Sequence, residues 1–531
     1  MRNLEAPGRS PVHSANGMAA TSHPLASQAA IDILKQGGNA LDAAIAACAV
    51  QCVVEPHSTG IGGDCFCLYA ANGGADVIAY NGSGQAPAAA TADWYVEHGI
   101  KTIERQSPHS VTVPGAINGW AQLNQDHGVL SLAELLAPAI AFARDGYPIS
   151  SRVSVDFASQ VDLLRNDKNA AAVFLKDGKT PAVGSMHRQP ALAATLTAIA
   201  ENGRDAFYHG EIAADMVDYL QSLGGHHTLD DFANVSGEYV TPVQTGFRDY
   251  QVYQIPPNGQ GIIALQLLNI VSDFEINPAE ALSAERIHLE IEAGRLAYQD
   301  RNFFVGDMKH GDVPVEWMLS AEHANELRAA IDPNKALKEL PTFTAPKQQS
   351  TVTISVVDKN RNACSFINSI FHSFGSVQMA PKSGVMFHNR GESFVVETGH
   401  PNCIGPGKRP MHTIIPGMVT QGKRVVMPYG VMGGHYQSYG HMQFLTRFLD
   451  LGMDIQEAQD TPRIFPDPAS PQVEVESTLD PHTIEALRAK GHNIVPAEKP
   501  IGGSQAIWID WDEGVLTGGS DPRKDGCAIG Y

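Results

Sequence analysis

The segment ALDAAIAACAVQCVV, residues 40–54, constrains the fold more than any other stretch of this 531-residue chain. Asn39 caps it as a helix, and its apolar residues then lie on every side of that helix. The near-continuous apolar run Ala43–Val54 is broken by Gln51 and is too short to span a bilayer. Such a helix has to be enclosed by other protein. Apolar residues make up 43% of the sequence, enough for a large core, and charged residues, at 18%, are too few for a disordered chain.

Around that helix the pattern is mixed. HPLASQAAIDILKQGG before it reads as an amphipathic helix stopped by Gly37 and Gly38. TGIGGDCFCLYA after it reads as a glycine turn feeding a strand, the reverse of the strand–loop–helix order of a phosphate loop, and it lacks the loop's lysine. SLAELLAPAIAFARDG, RQPALAATLTAIAENG and SAERIHLEIEAGRLAYQDR carry helical spacing, while YQVYQIPPNGQGIIALQLLNIV predicts strand, turn and buried helix. Residues 333–350 lose periodicity and collect Pro, Lys and Gln, as an exposed connection does. TVTISVVD, ACSFINSIF and GVMFHNR follow as predicted strands in a strand-rich final third with one clear late helix, DPHTIEALRAKG. Helices enclosing paired sheets in one large unit fit this order better than separate domains.

Charge narrows the function. With 37 Lys and Arg against 57 Asp and Glu, the net charge is −20, which excludes a general nucleic-acid or anionic-membrane binder. No secretory h-region is visible at the N-terminus, and the seven cysteines form no CxxC pair, so the reading is a cytoplasmic chain. Cys48 and Cys52 on a helix, and Cys65 and Cys67 on a strand, are read as small core residues.

The usual catalytic constellations are missing. The 21 histidines show neither HExxH nor zinc spacing, and Ser83 in NGSGQ lacks the GxSxG frame. His226 and His227 read as capping or surface residues of a loop, and Asp230 and Asp231 as helix-start carboxylates. The junction Ser350–Thr351 offers a chemical route. An exposed linker ends there, and Thr351, Thr353 and Ser355 share one strand face. Cutting the bond would give Thr351 a free α-amine, pKa about 8, beside its own hydroxyl, a known nucleophile–base pair.

From GGNALDAAIAACAV through EPHSTGIGGD, VTVPGAINGW, PPNGQG, EAGRLAYQDR, STVTISVVD, GKRPMHTIIP and MGGH to GGSDPR, the chain resembles the γ-glutamyltransferase family of N-terminal-nucleophile hydrolases. The resemblance implies an α+β fold, a four-layer αββα sandwich of two interwoven subunits. Residues 1–350 would form the large subunit and residues 351–531 the small one, separated by autocleavage between Ser350 and Thr351. It makes Thr351 the nucleophile, places Ser369 as support for its hydroxyl and amine, and gives Gly433 and Gly434 to the oxyanion hole. Neither metal nor organic cofactor is expected. The partners are a small-molecule amide and the two subunits of one precursor, with no nucleic acid and no membrane; a homodimer of processed heterodimers is one assembly open to it.

The resemblance also exposes departures. Positions that grip a γ-glutamyl α-amine as Gln and an acid correspond to Arg390 and Ser393. An Asn that touches substrate corresponds to Phe371, a serine pair to His412 and Thr413, and an early carboxylate-binding Arg to Ala92. Losing an acid and gaining Arg390 makes the pocket hostile to an ammonium and hospitable to an anion. NRG in this place resembles the branch holding acylases of the cephalosporin type and amidases of small acids such as oxamate. Hydrolysis of a carboxylate-bearing amide, with oxamate the sharpest candidate, is the expectation. Glutathione-type γ-glutamyl hydrolysis or transfer is the alternative, and an uncleaved, non-catalytic binding protein a remote one. Segment 395–407, with Pro401, Gly405, Pro406 and Gly407, suits either an irregular lid or a plain surface loop.

Overall fold

The computed structural model describes residues 8–275, 277, 280–338 and 351–531. The apolar helix opens on a capping box. Asn39 Oδ1 accepts the N–H groups of Leu41 and Asp42 at 2.9 and 3.0 Å, and Asp42 Oδ2 takes the Asn39 N–H in return. Every residue of Ala40–Val54 is buried. Helices Pro24–Lys35 and Leu132–Asp145 pack on one side of it, and strands Val352–Val357 and Ala363–Ser369 on the other. Truncating a side chain such as Ile45 to Ala there would cost about 2–5 kcal/mol.

Two antiparallel seven-stranded sheets form the middle of the molecule. One runs, in order, Val12–Ser14, Val515–Ser520, Gly503–Asp510, Arg424–Met432, Pro416–Gln421, Tyr250–Gln254 and Val243–Phe247. The other runs Cys527–Gly530, Met18–Thr21, Val352–Val357, Ala363–Ser369, Asp64–Ala70, Val77–Gly82 and Glu238–Val240. Phe66, Leu68, Ile367, Met418, Val425 and Ile507 meet between the sheets. Cys65, Cys67, Ile354 and Val356, on the opposite face of the second sheet, meet the helix of residues 40–54 and its neighbours. Helices Gly261–Val271 and Tyr436–Leu445 cover the outer face of the first sheet. The result is an α+β sandwich of the αββα type. Both faces of each sheet are covered, which is why its central strands read as nearly unbroken apolar runs.

Each sheet combines strands from before residue 339 with strands from after residue 350, so neither part of the chain has a core of its own. The hydroxyls of the 351–355 face point between the sheets. Ser355 Oγ donates to the Gln505 carbonyl at 3.2 Å, and Ser365 Oγ to that of Tyr429 at 2.7 Å.

Three expectations need correction. GVMFHNR is no strand: the Phe387, His388 and Asn389 N–H groups donate to Gln378, Gly62 and Ile370, three different segments, so no ladder forms. His227 is neither a cap nor a surface residue, being buried with Nε2 at 2.8 Å from the Val111 carbonyl. The final third also contains helices Tyr436–Leu445 and Ile455–Asp460 besides the late helix Pro481–Ala489. The predicted linker falls in part on residues 339–350, outside the described residues.

Candidate active site

Strand Val352–Val357 begins at the end of the second sheet that faces the close of strand Arg424–Met432, and this sets Thr351 against the glycine turn that follows Met432. Thr351 is buried, with Oγ1 at 3.4 Å from Ser369 Oγ and 3.4 Å from Gln437 Nε2. Ser369 closes the neighbouring strand, one register step beyond the Val352–Asn368 pair. Its hydroxyl oxygen accepts the Phe371 N–H at 2.9 Å, across a turn that puts Phe371 at φ +76°, a rare conformation for a bulky residue. Ser350, the other side of the predicted scissile bond, lies outside the described residues.

Gly433 and Gly434 hold φ of +125° and +63°. A Cβ on Gly433 would stand 2.9 Å from the Gly502 Cα, so both the dihedral and the space require glycine. Their carbonyls are engaged by the N–H groups of Tyr436 and Gln437, each at 3.2 Å. Gln260 Nε2 donates to the carbonyls of both Gly434 and Thr413 at 3.0 Å, tying the glycine turn to the substrate-side motif.

Arg390 is fully buried beside this pair of hydroxyls. Nη2 donates to Ser369 Oγ at 3.3 Å, Nη1 to Thr413 Oγ1 at 2.9 Å, and the guanidinium carbon sits 4.3 Å from the centre of the Phe371 ring. Its Nε faces Asp64 Oδ2 at 3.9 Å. His412 Nδ1 accepts the Ile414 N–H at 3.3 Å, which puts its proton on Nε2, directed at Asp64 Oδ2 at 3.1 Å. Burial pulls the Arg390 pKa down to about 9 against the opposing charge of Asp64, and burial with Arg390 nearby takes His412 down to about 3. Burial would raise Asp64, but His388, His412 and Arg390 together hold it well below the usual carboxylate range. The site therefore presents a buried cation one hydroxyl away from a threonine.

Gamma-glutamyltranspeptidase is the family whose profile matches the chain, over residues 26–531. The glutathione hydrolase-like YwrD proenzyme of Bacillus subtilis is 37% identical over 97% of this chain and 98% of its own length. The chain belongs to the γ-glutamyltranspeptidase family. Oxamate amidohydrolase proenzyme of Klebsiella pneumoniae is 34% identical over 98% of this chain and all of its own length, 100%. The solved cephalosporin acylase of Bacillus halodurans superposes with a TM-score of 0.93 at 38% identity, covering 100% of this chain and 98% of that one. As a member of this family the protein is an N-terminal-nucleophile-type enzyme that hydrolyses amide bonds.

Thr351, Ser369, Arg390, Phe371 and Thr413 are joined by direct contacts, and Gly434 is tied to Thr413 through Gln260. His412 stands behind Arg390, joined to it through Asp64. The Ser393 hydroxyl is turned to its own loop, donating to the carbonyls of Arg390 and Met411, both at 2.9 Å. Segment 395–407 is seated on residues 86–95: the Gly407 N–H donates to Ala86 O at 3.1 Å, and Phe394 and Ile404 pack with Ala90 and Tyr95.

A cavity of about 250 Å³ opens beside Gly433, its wall including Arg105, Arg152, His372, Tyr436, Phe465 and Lys524. Most of its charges are already spoken for. Arg152 binds Asp156 at 2.8 Å, Asp467 accepts from Ala469 N–H and Ser470 Oγ, and Arg105 donates to Gly375 O, Ser373 O and Gln160. The Lys524 ammonium makes no hydrogen bond or ion pair among the described residues, and burial lowers its pKa. Sequence reasoning missed Gln437, Gln260, Asp64, Arg105 and Lys524 as members of the site. Only Asp64 carried a signal, an acid placed directly after the glycines of GIGGD. No helix of the described residues is long and apolar enough to cross a membrane.

Proposed function

We propose that the chain cuts itself between Ser350 and Thr351, giving subunits 1–350 and 351–531, and that the new N-terminal Thr351 then hydrolyses a small amide bearing a carboxylate. Oxamate, cleaved to oxalate and ammonia, is the sharpest candidate. The observation that carries this reading is Arg390: a fully buried guanidinium hydrogen-bonded to the hydroxyl that itself lies 3.4 Å from Thr351 Oγ1. An anion on the acyl side of the amide would be held there with the carbonyl carbon next to the nucleophile. Similarity to an oxamate amidohydrolase agrees with it.

The chemistry needs only groups of the chain. The free α-amine of Thr351 takes the proton from Oγ1 as Oγ1 bonds to the carbonyl carbon. The oxygen that becomes negative meets the N–H groups of Gly433 and Gly434. The α-ammonium returns its proton to the departing nitrogen as the C–N bond breaks, leaving an ester on Thr351. Water, deprotonated by the same amine, attacks that ester; the bond to Oγ1 breaks, Oγ1 takes the proton back from the α-ammonium, and the acid leaves. The seven cysteines are all free thiols, which suits a cytoplasmic setting.

A second reading, γ-glutamyl hydrolysis or transfer on glutathione-like donors, is favoured by the cavity beside Gly433, which is larger than a leaving ammonia needs. Ammonia release from oxamate, measured beside anilide release from a γ-glutamyl anilide, separates the two. Ammonia from oxamate is expected. Vigorous release of anilide with none of ammonia would overturn the first reading and leave the second.

A further inference from the structure

A buried carboxylate is costly unless its charge is used. Asp64 is fully buried at the start of strand Asp64–Ala70, 3.9 Å from Arg390. Its Oδ1 accepts the N–H groups of Gly84 at 2.8 Å and Gly115 at 3.3 Å. An asparagine would satisfy both of those donors, so they do not account for an acid. The charge is spent on Oδ2. That oxygen takes the His412 Nε2–H at 3.1 Å and faces Arg390 Nε at 3.9 Å and His388 Nδ1 at 3.5 Å. His388 Nε2 is itself held at 2.8 Å from the Thr112 carbonyl, which fixes the ring beside the carboxylate.

Arg390 needs such a partner. Of its donors, one on Nη1 goes to Thr413 and one on Nη2 to Ser369, both neutral hydroxyls, and its ring neighbour Phe371 is apolar. Asp64 is the one acid within 4.0 Å of the guanidinium among the described residues. It faces Nε at 3.9 Å, as a charge and not a hydrogen-bond partner, and the second N–H of each Nη has no partner among the described residues, as a bidentate anion would need.

We propose that Asp64 is the positioning residue for Arg390: it balances the buried guanidinium from the Nε edge, so that the Nη edge is presented to the substrate carboxylate. This rests on the reading of Arg390 as the carboxylate-binding group. It assigns Asp64 and His412 to one electrostatic unit reaching from the GIGGD turn to the nucleophile's neighbour, rather than to the oxyanion hole or to proton transfer.

The test compares oxamate with oxamide, its neutral counterpart, in processed wild-type enzyme, Asp64→Asn, Arg390→Gln and the double variant. Asp64→Asn should lower the oxamate-to-oxamide ratio of kcat/KM about 10- to 100-fold, chiefly through a raised KM for oxamate. Arg390→Gln should do the same, and the double variant, which removes both buried charges together, should be no worse than Arg390→Gln alone. Equal losses on both substrates in Asp64→Asn, or effects that multiply in the double variant, would overturn the proposal. If Arg390→Gln leaves the ratio unchanged, the reading of Arg390 itself fails. If Arg390→Gln collapses the ratio and Asp64→Asn does not, only the role of Asp64 falls. Should the enzyme take γ-glutamyl donors instead, the same ratio is read between a γ-glutamyl anilide and its 4-aminobutyryl counterpart, which lacks the α-carboxylate. Asp64→Glu, which keeps the charge but displaces it by a methylene, is the second variant. If neither Asp64 variant yields soluble processed protein, Asp64 belongs to the fold and the proposal is overturned.

Discussion

The guanidinium of Arg390 and the ring of Phe371 are stacked 4.3 Å apart, and Phe371 holds φ of +76° to make that contact. A bulky residue in the left-handed region costs on the order of 1–3 kcal/mol, so the turn is held by what surrounds it. The Phe371 N–H on Ser369 Oγ, the cation over the ring and the His372 ring stacked 4.9 Å away all hold it. Arg390→Lys keeps a charge but cannot reach Thr413 and Ser369 together while covering the ring. Its kcat/KM for a carboxylate-bearing amide should fall about tenfold or more, measured by steady-state kinetics. An unchanged value would mean that a point charge suffices and that the planar fork is irrelevant.

Self-processing is checked by intact mass. Wild-type protein should give two fragments that join at Ser350 and Thr351, and Thr351→Ala a single uncut chain. Each sheet contains strands from both sides of the junction, so the two fragments should stay together through size-exclusion chromatography without denaturant. An uncut wild-type chain would remove the amine on which the proposed mechanism depends.

At Gly433, φ of +125° and the Gly502 Cα at 2.9 Å from a would-be Cβ leave no room for a side chain. Gly433→Ala must move the turn or the Gly502 backbone, and either displaces the N–H groups assigned to the oxyanion. Displacing one such donor costs about 10²–10³ in kcat. The expected result is that loss with KM little changed. A kcat within a factor of about three of wild type would place the oxyanion elsewhere.

How far the sequence could be read depended on the distance over which each feature acts. The helix of residues 40–54 announced its burial because every residue of it is apolar, and the Asn39 cap lies next to it in the chain. Residues 384–390 look like a strand for the same local reason. Yet their amides serve Gln378, Gly62 and Ile370, and no local pattern reveals that. Asp64 is visible as an odd acid after glycines, but His412 and Arg390 lie more than 320 residues away in the chain, so its purpose shows only in space. Thr351 stood out by chemistry only once a cut before it was imagined, and its Ser369 neighbour entered by resemblance. Gln437 and Lys524 had no sequence signal at all, being ordinary residues until the fold aims them.

Burial pushes the Glu392 carboxyl up to about 7, against the opposing bond from Asn389 Nδ2 and the charge of Arg105. His372 Nδ1 stands 3.3 Å away and lines the cavity with Arg105. A carboxyl whose pKa is higher in the folded chain than in the unfolded one adds stability below its ordinary pKa of 4.5, and that contribution is lost as pH rises through about 7. Wild-type protein should therefore lose about 1–3 kcal/mol relative to Glu392→Gln between pH 4.5 and pH 8. Thermal or denaturant unfolding of the two proteins across that range measures it. Parallel curves would mean that Glu392 ionises normally in the folded chain.

Lys524 makes no hydrogen bond or ion pair through its ammonium among the described residues, with Asp156, Glu55 and Asp521 acting on it only as more distant charges. Its Cε would lie 2.9 Å from a Cβ on Gly503, and the Met432 sulfur is equally near that point, so the stem runs over a glycine directly beside the turn at Gly433. The other basic side chains of the cavity wall, Arg105, Arg152 and Lys499, are already engaged. A leaving amine that departs past Gly433 and carries a carboxylate would meet Lys524. Lys524→Met should then raise KM about tenfold for N-oxalylglycine but not for N-methyloxamate, or for γ-glutamylglycine but not for γ-glutamyl methylamide, whichever acyl group the enzyme accepts. The members of each pair share an acyl group, so the comparison isolates the leaving side. Equal effects on both members would mean that the lysine supports the glycine turn and reads nothing. A selective effect would make substituted amides, rather than simple primary ones, the better fit to a cavity of about 250 Å³.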